Sequence, residues 1–156
     1  MPGRLRNLVL AMLLVPVALC AADPFAGTWK LNLDKSKEAA DKPRLPKSET
    51  ITVEETENGQ KVTNDQVNAL GKTIHFEYDA KYDGKECPEV GNPNVDTVSL
   101  KKINAHTMQT TNRKGDKVVT TIRSVISTDG NTRTSTLTAK NEAGQSVSWT
   151  AVFDKQ

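Results

Sequence analysis

The sequence predicts an all-β protein, an antiparallel up-and-down meander of about eight to ten strands forming a barrel, with a short helical or irregular insertion after the first strand. Three observations carry this. Apolar and polar residues alternate with period two in segment after segment, as in Trp29, Leu31, Leu33 or Ile74, Phe76, Tyr78, which is the pattern of a half-buried strand. Threonine and other β-branched residues fill these segments, and they favour strand over helix. Short turn signals recur at intervals of roughly 10 to 12 residues, so consecutive strands pair as hairpins. A meander of that length curls or closes because open edges invite pairing with other chains.

The first strand covers 28–33, with Trp29, Leu31 and Leu33 on one face and Thr28, Lys30 and Asn32 on the other. From 34 to 46 the alternation stops. Residues 36–40 suit a turn or two of helix, and Pro43 and Pro46 end it, which makes this segment a lid or linker. Strands follow near 49–55, 61–67 and 73–82, joined at Asn58-Gly59 and Leu70-Gly71-Lys72. In the last of these, Ile74, Phe76 and Tyr78 face in and His75, Glu77 and Asp79 face out. The stretch 83–93 is irregular, since its two prolines and two glycines have no place in a central strand. Five further strands lie near 96–103, 107–112, 117–127, 133–140 and 146–153, separated by turn signals such as Asp129-Gly130-Asn131. Ile51, Val53, Val98, Leu100, Met108, Ile122, Leu137, Trp149, Ala151 and Phe153 join the inward set.

Residues 1–22 read as a secretory signal: Arg4 and Arg6, an apolar run of 13 residues from Leu8 to Cys20, and the small pair Ala21-Ala22 before Asp23. The run is too short for a bilayer span, which takes roughly 20 residues, so no integral membrane segment is expected once the signal is removed. That leaves one domain, 23–156, secreted or periplasmic. A lipoprotein signal ending at Cys20 is the competing reading, opposed by Leu19 where a small residue belongs. Arg4 and Arg6 are two of the 21 basic residues and no acid precedes Asp23, so 23–156 carries 19 charges of each sign. A balanced charge gives no footprint for nucleic acid, which demands clustered positive charge. Cys87 is the only cysteine of 23–156, so no disulfide forms within it, and nothing beside it suggests a base to activate the thiol.

Phe25-Ala26-Gly27-Thr28-Trp29-Lys30-Leu31 resembles the opening strand of the calycin barrels, the lipocalins and cytosolic fatty-acid-binding proteins. Tyr82-Asp83-Gly84-Lys85-Glu86, Pro88, Gly91-Asn92-Pro93 and Asp96-Thr97-Val98-Ser99-Leu100-Lys101 extend the likeness over most of 23–156, where the chain is similar to small secreted bacterial lipocalin-like proteins. The resemblance implies that Gly27 and Trp29 close one end of the barrel, with Trp29 packed beneath a basic residue near the last strand. Lys155 is the only basic candidate there, where lipocalins use arginine. Fatty-acid-binding proteins hold the lipid carboxylate with an Arg-x-Tyr pair in that strand. Trp149-Thr150-Ala151-Val152-Phe153 has neither residue, and a carboxylate in a dry cavity requires a charge-assisted partner.

Three functions remain open. The first is a non-catalytic barrel that buries a small apolar or amphipathic ligand, with Tyr78, Tyr82, Phe76, Leu100 and Met108 as contact residues. Tyrosine at a cavity mouth offers an apolar face and a hydroxyl. The second is a solid barrel whose 82–95 loop contacts another protein. The third is an enzyme acting at the barrel mouth, although no catalytic motif is present. His75, Glu77 and Asp79, at alternate positions of one strand face, could present an imidazole and two carboxylates to a metal, and a solvated strand face is the simpler reading. Nothing in the sequence implies a cofactor.

Overall fold

The computed structural model describes residues 21–156, so positions 1–20 of the signal segment, Cys20 among them, lie outside the described residues. Ten antiparallel strands make one sheet: β1 (Gly27–Leu31), β2 (Ser48–Thr56), β3 (Gly59–Val67), β4 (Thr73–Lys81), β5 (Cys87–Pro88), β6 (Thr97–Asn104), β7 (Thr107–Lys114), β8 (Lys117–Ile126), β9 (Thr132–Lys140) and β10 (Ser146–Lys155). Their spatial order is β4-β3-β2-β1-β10-β9-β8-β7-β6-β5. Every neighbour in it is also next in sequence except β1 and β10, which pair Trp29 with Lys155 and Leu31 with Phe153. The chain is thus an up-and-down meander whose first and last strands meet, the all-β barrel that the alternation and turn spacing predict. Among the described residues no helix is long and apolar enough to cross a membrane.

The sheet closes at the 83–95 segment. Val90 and Glu77 exchange backbone hydrogen bonds of 2.9 and 3.0 Å, tying the segment to β4, while β5 pairs with β6 through Cys87 and Val98. Gly91 makes this possible. Its φ is +98°, and a Cβ there would sit 2.2 Å from the His75 carbonyl oxygen, an approach that only glycine allows. The 82–95 loop is therefore the seam of the barrel, with Glu89 and Val95 buried.

Two expectations are corrected at the other irregular segment. Leu33 does not extend β1. Asn32 turns the chain by donating its N–H to the Val152 carbonyl at 2.8 Å and accepting from Lys35 N on its side chain at 3.2 Å, and Leu33 lies in a 3-10 turn, Leu33–Lys35, 48% exposed. Residues 36–40 do not form α-helix, because Lys37 exchanges backbone bonds with Thr150 of β10 and runs extended along it. Glu38 then accepts from the backbone N–H groups of Arg44 and Leu45 at 2.7 and 3.0 Å. That folds the segment over the barrel mouth, where Ala39 and Leu45 are buried.

The core fills the opposite end. Trp29, Phe25, Leu100, Met108 and Val98 have no exposed surface, and Ile51, Val53, Val62, Ala80, Ile126 and Phe153 pack with them. Burying each large side chain of this set is worth about 1.5–3 kcal/mol.

Candidate functional site

Trp29 and its neighbours make the closed end. Its indole N–H donates to the Phe25 carbonyl oxygen at 2.9 Å, and Lys155 Nζ lies 5.2 Å from the ring centroid. Gly27 leaves room for that lysine, since a Cβ would meet its Cε at 2.8 Å. Beside it Asp23 is held on all sides: Oδ2 accepts from Tyr82 Oη at 2.5 Å and Lys102 Nζ at 2.8 Å, and Oδ1 caps the Phe25 amide at 3.0 Å. Burial pushes the Asp23 carboxyl up, and the bonds from Lys102, Tyr82 and Phe25 outweigh it, so its pKa lies below the ordinary aspartate value.

One level further in, the register places a cation inside the barrel. Phe153 of β10 pairs with Arg133 of β9, Ala151 with Ser135 and Trp149 with Leu137, so these residues all face inward on alternate positions. Arg133 is only 7% exposed. Its Cζ lies 5.9 Å from the rings of both Phe25 and Phe153, and Nη2 reaches Ser124 Oγ at 3.4 Å. Nε and Nη1 have no hydrogen-bond partner, and among the described residues Arg133 has no ion-pair partner. Burial pulls its pKa below the ordinary arginine value, while Tyr78, Glu49 and Tyr82 act the other way.

Above Arg133 is a cavity of about 310 Å³. Arg133, Ser135 and Phe153 form its floor; Ile51, Phe76, Ile122, Leu137 and Trp149 its apolar wall. Arg44, Leu45 and Pro46 of the lid segment and Asn92, Asn94 and Val95 of the seam bound its mouth. Arg44 is fixed there by Asp41 at 2.7 Å and stacks 5.1 Å from the Trp149 ring. The barrel is therefore not solid. Glu49, Gln66, Asn112 and Thr120 also face the cavity. Asn112 Oδ1 is buried without a partner. Glu49 accepts from Asn64 Nδ2 at 2.6 Å, and burial raises its carboxyl pKa, opposed by the Asn64 bond and by Arg133. Gln60 Nε2 and Asn64 Oδ1 are also buried and unpartnered.

Of the five contact residues that the sequence suggests, only Phe76 lines the cavity. Leu100 and Met108 are wholly buried in the packed half. Tyr78 is partly buried against the core, and burial pushes its hydroxyl up to about 12. Tyr82 sits at the closed end, where burial and then Asp23 raise its pKa, because it follows β4, which runs away from the mouth. His75, Glu77 and Asp79 are exposed on the outer face. His75 Nδ1 lies 2.7 Å from Asp65 Oδ1 of the neighbouring strand, and among the described residues no group of three or more potential ligands could hold a metal ion. His106 is likewise exposed, while the buried hydroxyls of Ser124 and Ser135 bond each other at 2.8 Å. Cys87 is partly buried, and burial followed by Asp79 raises its pKa, which disfavours the reactive thiolate.

Arg133 escapes a reading of the sequence that seeks an anchor in the last strand. The available signal is its parity with Ser135, Leu137 and Ala139, which puts a charged residue on the apolar face of β9.

No family model and no curated protein matches the chain. Among solved structures, it is similar to zebrafish ileal bile acid-binding protein complexed with cholic acid, at 11% identity and TM-score 0.48 over 85% of this chain and 99% of that one. It is also similar to a de novo designed fluorescence-activating β-barrel, at 10% identity and TM-score 0.45 over 87% and 97%.

Proposed function

We propose that this is an exported carrier that binds a small amphipathic carboxylate in its barrel and performs no chemistry on it. The observation that carries the reading is Arg133, a guanidinium buried beneath a cavity with two nitrogens unpartnered. Arginine stays charged in proteins, Glu49 acts on it only at a distance and not through an ion-pair contact, and a buried charge with unpaired N–H groups costs several kcal/mol. A ligand carboxylate entering from the mouth supplies the missing charge and takes the free N–H groups in paired, charge-assisted bonds. Its apolar part then replaces water along Ile51, Phe76, Ile122, Leu137 and Trp149. At about 310 Å³ the cavity is at the small end of ligand sites, which span roughly 300–1,000 Å³, so the cargo is a medium chain or a single ring system. Asn112 Oδ1 is free to accept from a hydroxyl on it.

The test is a calorimetric comparison of decanoate with 1-decanol, two probes of one length that differ in charge. The acid is expected to bind about 10 to 100 times more tightly, the worth of hydrogen bonds to a charged group. Equal affinity, or preference for the alcohol, would overturn the assignment of Arg133.

A further inference from the structure

We propose that the chain is cut between Ala22 and Asp23, and that the barrel holds the new N-terminal ammonium of Asp23 against the Glu55 carboxylate. Ala21 and Ala22 are exposed, whereas Asp23 is 7% exposed. At that residue the chain is fastened by each of its polar atoms. The Asp23 nitrogen donates to Glu55 Oε2 at 3.1 Å, and its carbonyl oxygen accepts from Ala26 N at 3.0 Å. Its carboxylate is shared by Tyr82, Lys102 and the Phe25 amide. Phe25, next but one, is wholly buried, and its carbonyl holds the Trp29 indole. The accessible small residues that a signal peptidase requires thus end where the fastened fold begins.

Hydrolysis adds the hydroxyl of a water to the Ala22 carbonyl carbon and breaks the bond to the Asp23 nitrogen, which takes up protons. Ala22 leaves as a carboxylate with the signal, and Asp23 keeps an ammonium, since α-amino groups titrate near 7.7–8.0. A neutral N–H facing Glu55 becomes a cation facing it. Cutting before Cys20 instead leaves Ala21-Ala22 attached and the Asp23 nitrogen an uncharged amide, so Glu55 distinguishes the two routes. Glu55 is exposed, which keeps the ion pair modest.

Two measurements test this, and both are independent of the ligand reading, which rests on Arg133. The first is the intact mass of protein recovered after the full chain is exported from a bacterial host; the expected product begins at Asp23. The second is thermal unfolding of a form beginning at Asp23 against one beginning at Ala21, each with Glu55 and with Glu55→Gln. The Asp23 form is expected to melt about 1–4 °C higher, with the advantage gone in the Glu55→Gln pair. A product beginning elsewhere, or an advantage of the same size in the Glu55→Gln pair, would overturn the proposal.

Discussion

Asp23 and Arg133 are equally buried, at 7% exposure each, and lie on adjacent levels of one barrel, yet they are treated in opposite ways. Asp23 has a hydroxyl, an ammonium and an amide on its two oxygens. Arg133 has one long bond to Ser124 and two empty nitrogens. The difference separates structure from site. A buried charge whose partners come from the chain stabilises the fold by joining distant segments, here the N-terminal arm, β6 and the end of β4. A buried charge whose partners are missing costs stability and is held ready for something that is not the chain.

The largest expected effect lies at the closed end. Trp29→Ala removes the wholly buried side chain that joins Phe25, Ile51 and Lys155. Large-to-small changes of this kind cost about 3–5 kcal/mol, and urea unfolding should show that loss in the midpoint. The contrast is with Arg133→Met. An apolar residue of similar length removes a buried charge that has no ion-pair contact, so the variant should be as stable or more stable, by up to about 4 kcal/mol, while losing the preference for carboxylate over alcohol. Destabilisation together with retained acid preference would mean that Arg133 belongs with Asp23, as part of the frame.

How far each region is legible in the sequence follows the same line. The closed end is written locally. Gly27 and Trp29 sit on one short strand, and the hairpin turns appear as they stand, including Asn58 at φ 59° next to Gly59. The nine long strands fall within a few residues of their expected spans because period two reports burial directly. What the sequence hides depends on distant partners. β5 has only two residues, and the pairing of Glu77 with Val90 is a meeting of seam and strand with no local pattern. The lid folds through Lys37 and Thr150, far apart in sequence, so its helix-like composition misleads. Arg133 needs the β9–β10 register before it can be seen beneath the cavity rather than on a polar face. Tyr82, expected at a mouth, is at the closed end because strand direction decides which end a residue reaches, and alternation is silent on direction.

The smallest predicted effect is a pH dependence that sharpens the contrast, since the two regions carry acids shifted in opposite directions. Asp23 has its folded pKa below the ordinary 3.8, net of a burial cost outweighed by Lys102, Tyr82 and Phe25. The unfolded chain then binds the proton more readily. The stability that Asp23 contributes is present above the unfolded pKa and is lost as pH falls through the folded one. Glu49, by the cavity, is raised above 4.5 by burial, against the Asn64 bond and Arg133. There the folded protein binds the proton more readily, so its contribution weakens stability as pH rises from the unfolded value through the folded one. Glu49→Gln should therefore flatten a decline in stability on the alkaline side of 4.5, and Asp23→Asn should flatten a decline on the acid side of 3.8. Denaturant midpoints of the three proteins between pH 3 and 7 read both slopes. A carboxylate ligand adds a further check, because its charge beside Glu49 favours the protonated glutamic acid and should extend the Glu49 decline to higher pH. If the same extension appears with the alcohol, the charge at the cavity floor is not what couples them.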